Sequence, residues 1–155
     1  MRFIDANVFI YAFYKPKKTP DLRSLALKEL SKSIIKNIQR GEEVLTTVIH
    51  LSEVANIIKH SLPEHEVCTI ITTLFTMDNI EIVDVSKELY LKAAVLGQTL
   101  NLNPNDALTV LVMRERNITE IYTFDTDFDN VQGIRRIPSE SEIKRKMNEL
   151  ATKSK

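Results

Sequence analysis

The chain has 155 residues, 43% hydrophobic and 27% charged, which is the balance of a folded globular protein and excludes a disordered or fibrous one. The length fits one compact domain spanning 1–155, and the single cysteine, Cys68, excludes an intrachain disulfide and any multi-cysteine metal site. The 21 basic and 21 acidic side chains cancel, so attraction to nucleic acid must come from local segregation of charge.

No apolar run reaches the roughly 18 residues of a membrane span. Asp5 also interrupts the start where a signal peptide needs its apolar stretch. The expectation is a cytoplasmic protein with no membrane association. Along the chain, Arg2 to Ile4 reads as a short strand, Asp5-Ala6-Asn7 as a turn, and Val8 to Tyr11 as a short buried helix. The segment 15–20 breaks the pattern with two prolines and three lysines. From Asp21 an amphipathic helix carries Leu22, Leu25, Leu30, Ile34 and Ile38 at helical spacing and stops at Gly41.

Val44 to Val48 is either a short strand or the lead-in to a helix with Val54, Ile57 and Ile58 on its apolar stripe, ended by Pro63. Val67, Ile70, Ile71, Leu74 and Phe75 repeat at three-and-four spacing, and Ile80 to Val85 reads as a strand. Ser86 caps a helix with Leu89, Ala93, Leu96 and Leu100 on one face. Asn103-Pro104 is an N-cap followed by proline at the first helical position, starting a helix that runs through Arg116.

Ile121 to Phe124 is a strand ending at Asp125. A turn-rich stretch to Gly133 follows, then a short strand, Ile134 to Ile137. Ser139 and Glu142 form a capping box for a last helix over about 139–151, with 152–155 as a frayed end. Strands separated by helices predict an α/β fold, a three-layer α/β/α domain with a mostly parallel central sheet.

Ligands of such sheets sit beyond the carboxyl ends of the strands. Asp5 and Asp125 fall there, Glu53 lies at the start of its helix, and Asp106 sits in a first turn three residues after the Asn103 cap. Alone, each acid is an ordinary cap, turn former or first-turn residue. Together in one crevice, four carboxylates must take up protons or bind a cation. With no cysteine cluster and no spaced histidines to soften the site, all-oxygen ligation selects magnesium or manganese.

Two local patterns are decoys. Asp125-Thr126-Asp127-Phe128-Asp129 begins like a calcium loop, but its sixth position is Asn130 and its twelfth Arg136. The same stretch is similar to the nucleophile motif of haloacid-dehalogenase-type phosphatases. That motif opens a chain and continues with threonine or valine where Asp129 stands.

Phe3-Ile4-Asp5-Ala6-Asn7-Val8-Phe9-Ile10, Leu51-Ser52-Glu53-Val54, Asn105-Asp106-Ala107-Leu108 and Tyr122-Thr123-Phe124-Asp125-Thr126-Asp127-Phe128 resemble, in order and spacing, the motifs of the PIN-domain nucleases, over residues 1 to about 137. The resemblance implies a metal-dependent endoribonuclease, and the small size looks like the VapC-type toxins of toxin–antitoxin pairs. It further implies that Asp5, Glu53, Asp106 and Asp125 are the catalytic acids and, with Asp127, the ligands of Mg2+ or Mn2+. Asn7 and Thr123 would support them. The implied partners are an RNA substrate, an antitoxin protein and a second copy of the chain. The alternative is a non-catalytic PIN-like RNA-binding or assembly subunit, and a phosphatase on a related fold is a third reading.

Lys15, Lys17 and Lys18, with Arg135, Arg136, Lys144, Arg145 and Lys146, could bank an acidic cleft and hold phosphates. His50, His60 and His65 lack ligand spacing and read as surface or half-buried histidines without a role, and Cys68 reads as a small packing residue. The absence of tryptophan and the 6% aromatic share argue against a platform of stacked bases. The helices over Asp21 to Arg40 and Glu64 to Met77 hold more apolar residues than one buried face needs, so a homodimer is expected.

Overall fold

In a strand successive side chains point to opposite faces, and the short apolar strands of this chain use both. Phe3, Leu45 and Ile121 enter one core while their neighbours Ile4, Val44 and Tyr122 enter another. A computed structural model describes residues 1–153. Its strands are β1 (Arg2–Ile4), β2 (Val44–Thr47), β3 (Ile80–Val83), β4 (Glu120–Tyr122) and β5 (Arg135–Ile137). They form one sheet in the order β3-β2-β1-β4-β5, every pairing parallel. Phe3 lies opposite Leu45 on one side and Ile121 on the other.

On the Ile4 face lie α1 (Ala6–Phe13), α2 (Leu22–Gln39), α3 (Val48–Ile58), α4 (Glu64–Thr76) and α7 (Glu140–Lys153). On the Phe3 face lie α5 (Lys87–Leu100) and α6 (Pro104–Glu115). The three-layer expectation is met, with a sheet that is wholly parallel. The chain grows from β1 through β2 to β3 in one direction, then returns to lay β4 and β5 on the other side of β1. The reversal leaves a crevice beyond the carboxyl ends of β1 and β4.

Several boundaries differ from expectation for local reasons. Val44–Thr47 is a strand and α3 starts at the next residue, because the Thr47 hydroxyl caps it by accepting the His50 N–H. That helix stops at Ile58, so Pro63 does not end α3 and instead stands at the N-cap of α4. Strand β4 ends at Tyr122, and the next free backbone donors turn to side chains, the Phe124 N–H to the Asn7 amide oxygen and the Asp125 N–H to the Thr123 hydroxyl. The capping box forms in both directions, with the Glu142 N–H on the Ser139 hydroxyl and the Ser139 N–H on the Glu142 carboxylate. Helix α7 runs on to Lys153, so Thr152 and Lys153 are helical, and the rest of the expected frayed end lies outside the described residues. Cys68 is exposed on α4 and is therefore not the small packing residue expected.

Candidate active site

Asp5 ends β1 and starts α1. Its N–H still donates to the Tyr122 carbonyl at 2.9 Å, completing the sheet. Its carboxylate is fixed by two donors, the Ala6 N–H at 2.8 Å and the Thr123 hydroxyl at 2.7 Å. Thr123 Oγ1 accepts in turn from the Asn7 amide and the Asp125 N–H, both at 3.1 Å. Asn7 Oδ1 takes the Phe124 N–H at 3.3 Å. The two polar residues expected to support the acids therefore join the end of β4 to the first turn of α1, and hold Asp5 and Asp125 side by side.

Asp125 caps a 3-10 helix, Thr126–Asn130, by accepting the Asp127 N–H at 2.9 Å, which turns Asp127 back toward it. Asp106 arrives from the opposite layer. Asn103 caps α6 by accepting the Asp106 N–H at 2.9 Å, and its amide donates to Asp106 Oδ2 at 3.0 Å. Pro104 presets the first helical φ, as the sequence requires. One carboxylate oxygen each from Asp106, Asp125 and Asp127 lies within 4.8 Å of the others. Asp106 is buried, Asp125 intermediate and Asp127 exposed, so the group opens from the core outward.

Glu53 projects from the middle of α3 and not from its start as expected, because β2 ends at Thr47 and the helix begins at Val48; it is held by the Asn105 amide, whose own carbonyl oxygen accepts the Tyr90 hydroxyl. Of the five expected acids, the structure gathers Asp106, Asp125 and Asp127 into one ligand-sized group. Asp5 and Glu53 stand outside that group and within electrostatic reach of it.

This arrangement can be set against known proteins. The sequence profile of the PIN domain matches residues 2–134. The chain belongs to the PIN domain family. It is 26% identical over 145 residues to Ribonuclease VapC6 of Methanocaldococcus jannaschii, covering 87% of this chain and 95% of that protein. Its fold is shared with VapC20 of Mycobacterium tuberculosis, described as a Sarcin-Ricin loop cleaving toxin. There the TM-score is 0.60 at 20% identity, covering 83% of this chain and 93% of that one. It is also shared with VapBC2 of Rickettsia felis bound to a DNA fragment from its promoter, at TM-score 0.57 and 16% identity, covering 87% and 96%.

The electrostatics of this PIN domain follow from burial. Asp5 is 6% exposed, and desolvation raises its carboxyl to about 6 against the opposing hydrogen bonds from Thr123 and Ala6, with the charges of Glu53 and Asp125 adding. Asp106 is pushed up to about 7, first by burial and then by Asp5, Asp125, Glu53 and Asp127. Glu53 is raised by burial and lowered by Asn105. Like charges packed this way are relieved either by protons or by a cation. The donors are all hard oxygens, and no cysteine or histidine joins the group. That donor set fits magnesium or manganese and does not fit a thiophilic metal.

One buried group of this PIN domain was not anticipated from sequence. His50 is 1% exposed and therefore neither a surface nor a half-buried histidine. Its Nδ1 pairs with Thr47 Oγ1 and its Nε2 with Thr109 Oγ1, both at 2.7 Å. One placement of protons satisfies the whole row: Thr47 donates to Nδ1, Nε2–H donates to Thr109, and Thr109 donates to the Asn105 carbonyl at 3.2 Å. Burial depresses the imidazole to about 3, so it stays neutral. Its Nε2 is 3.8 Å from Asp5 Oδ1. His50 thus ties the start of α3 to α6, whose Asn105 and Asp106 face Glu53. The available signal was its place one and two turns before Val54 and Ile58 on the same buried stripe.

Three of the eight residues of the expected basic bank, Arg135, Arg136 and Lys146, pair with carboxylates, Lys146 with Glu149 at 3.7 Å. Arg136 is buried, clamped by Asp129 through two 2.9 Å bonds and donating to the Pro138 carbonyl at 3.0 Å. Arg135 pairs with Glu120. Asp129, the third acid of the calcium-like run, therefore faces Arg136 and is absent from the ligand group.

Proposed function

We propose that this chain is a divalent-metal-dependent endoribonuclease using Mg2+ or Mn2+, and the toxin of a toxin–antitoxin pair. The observation that carries the reading is the convergence of Asp106, Asp125 and Asp127 within 4.8 Å, with Asp5 and Glu53 electrostatically coupled to them, in a fold shared with VapC proteins. The relative named as a ribonuclease spans nearly the whole chain. The intact acid group leaves the non-catalytic alternative without support. Its partners on this reading are an RNA substrate, a protein antitoxin and a second copy of the chain, in the cytoplasm. No described helix is long and apolar enough to cross a membrane.

Asp5, Glu53, Asp106 and Asp125 are the catalytic acids; Asp106, Asp125 and Asp127 would hold the cation, with the charges of Asp5 and Glu53 beside them. When bound, the cation supplies Lewis acidity that lowers the pKa of a water and neutralises charge on phosphate oxygens. The chain's own residues do the positioning. Thr123 and the Ala6 N–H fix both oxygens of Asp5, Asn103 fixes Asp106, and Asn105 orients Glu53. The Thr123 hydroxyl, the group nearest to a nucleophile here, donates to Asp5 and so is not offered to substrate.

The purified protein is expected to cleave RNA with magnesium or manganese and to stop when the metal is chelated. Asp5→Asn and Asp106→Asn should each lower the cleavage rate by roughly 100-fold or more, the scale of loss when a group that stabilises the transition state electrostatically is removed. Near-normal rates in both variants, followed with a fluorogenic RNA, would overturn the assignment.

A further inference from the structure

The three acids gathered at the site are not held equally. Asp106 is fixed by the Asn103 amide, and the Asp125 carboxylate accepts the Asp127 N–H. The Asp127 carboxylate itself has no hydrogen-bond donor among the described residues. Its place therefore depends on the backbone that carries it, the 3-10 helix Thr126–Asn130. 3-10 geometry makes poor hydrogen bonds. Those that bracket this helix are long, 3.4 Å from the Phe128 N–H to the Asp125 carbonyl and 3.2 Å from the Val131 N–H to the Phe128 carbonyl. Three side chains compensate. Asp125 caps the start, Phe128 is fully buried, and Asp129 is gripped by Arg136, so that Asp127 stands two residues from an anchor on either side.

The grip has a specific form. Arg136 is the middle residue of β5, lies opposite Ile121 of β4 and is 7% exposed. Its Nε and Nη2 each donate at 2.9 Å to a different oxygen of Asp129, and its Nη1 donates to the Pro138 carbonyl at 3.0 Å. Glu140 lies 3.6 Å from the same Nη2. A planar fork on both oxygens fixes a carboxylate in orientation as well as in place, which ties the 3-10 helix to the sheet. Stability does not account for this choice of residues. Exchanging a buried ion pair for apolar side chains of similar volume is often neutral or stabilising. What an apolar pair cannot supply is a bidentate register between a strand and an acid-bearing turn.

We propose that Arg136 and Asp129 are positioning residues of the metal site, holding the 3-10 helix so that the unsupported Asp127 carboxylate stands beside Asp106 and Asp125. The inference rests on the metal-dependent nuclease reading above. Asp129 acts through the backbone and does not itself reach the cation, since both its oxygens are taken. A rival role for Arg136, offsetting negative charge around the site, is one that a lysine would fill equally well.

The test is Mn2+ binding by the full chain without RNA, followed by isothermal titration calorimetry, with a thermal melt of each protein in chelator as the check on folding. Arg136→Lys keeps the charge and loses the fork. It should weaken Mn2+ binding roughly tenfold, the lower end of the loss when a group that orients a metal ligand is removed. In an Asp127→Asn background the same substitution should cost nothing further, because its effect passes through Asp127. Arg136→Met with Asp129→Leu also leaves the net charge unchanged. It should lose the same affinity while melting close to the parent, and it reads out even if the lysine variant does not fold. If the parent binds Mn2+ and cleaves RNA while these variants bind as it does, or if their loss adds in full to that of Asp127→Asn, the clamp assignment is overturned and the nuclease reading stands. If affinity depends on the clamp but no RNA is cleaved, the clamp stands and the nuclease reading falls. A parent that binds no Mn2+ overturns both.

Discussion

Asp106 concentrates the conflict on which the site is built. It is 9% exposed, it faces four other carboxylates, and its ordinary value of 3.8 is pushed up to about 7. A carboxyl with a raised folded-state pKa binds its proton more tightly in the native state than in the unfolded one. The destabilisation is therefore complete above about pH 7 and fades as pH falls toward 4. In chelator at pH 8, Asp106→Asn should melt above the parent by several degrees, the shift expected for about 1 kcal/mol or more. The gap should narrow at pH 5 and close only as pH approaches 4. His50 works in the opposite sense, since its depressed value costs stability as pH falls below 6.5, but it is present in both proteins and cancels in the difference. Excess magnesium should reverse the ranking, because only the parent keeps every ligand. A parent that melts higher in chelator at pH 8, with no response to magnesium, would mean that these acids do not act as one group.

At the scale of elements, the placement of Asp106 depends on α6 lying close against α5. Gly97 makes this possible. A Cβ built there would stand 2.6 Å from the Leu102 carbonyl oxygen and 3.4 Å from the Ala107 Cβ, so the backbone of the α5–α6 connection would have to move. Gly97→Ala should cost about 1–3 kcal/mol, the range for overpacking, although it raises helix propensity. A urea titration with the midpoint unchanged or raised would refute the close approach. Caps and periods made most elements readable in the sequence: Asn103-Pro104, Ser139 with Glu142, and the stripes of α2, α4 and α5. The acids at strand ends and first turns were readable for the same reason, since parallel strands deliver their following residues to one edge. His50, Asn105 and Tyr90 were not. Their roles come from partners 59, 52 and 15 residues away, and no local period encodes such pairings. The basic bank failed similarly, because Arg135 and Arg136 find their acids through β5 packing beside β4 and the 3-10 helix.

For the whole molecule, the expected surplus of apolar residues on α2 and α4 is smaller than composition suggested. The outer face of α4 is lined by Thr69, Thr72 and Thr73, whose hydroxyls donate to carbonyls one turn back, and Phe75 is the large apolar side chain left exposed there. On α2, Leu22 and Leu25 remain more than a third exposed. A dimer at micromolar concentration is the expected outcome of sedimentation velocity, and a monomer throughout that range would remove self-association from the proposed partners.

The central strand β1 is made first, yet one of its two neighbours, β4, is made near the end. The bond that fixes Asp5, from the Thr123 hydroxyl, spans 118 residues. During synthesis at about 5–20 residues per second, that interval is on the order of ten seconds, in which the leading aspartate has neither its hydrogen-bond donor nor Asp125 beside it. A nuclease threaded in this order has no assembled site while most of its chain is still being translated. On the function proposed above, the ribosome that makes the protein is separated in time from its activity by strand order alone.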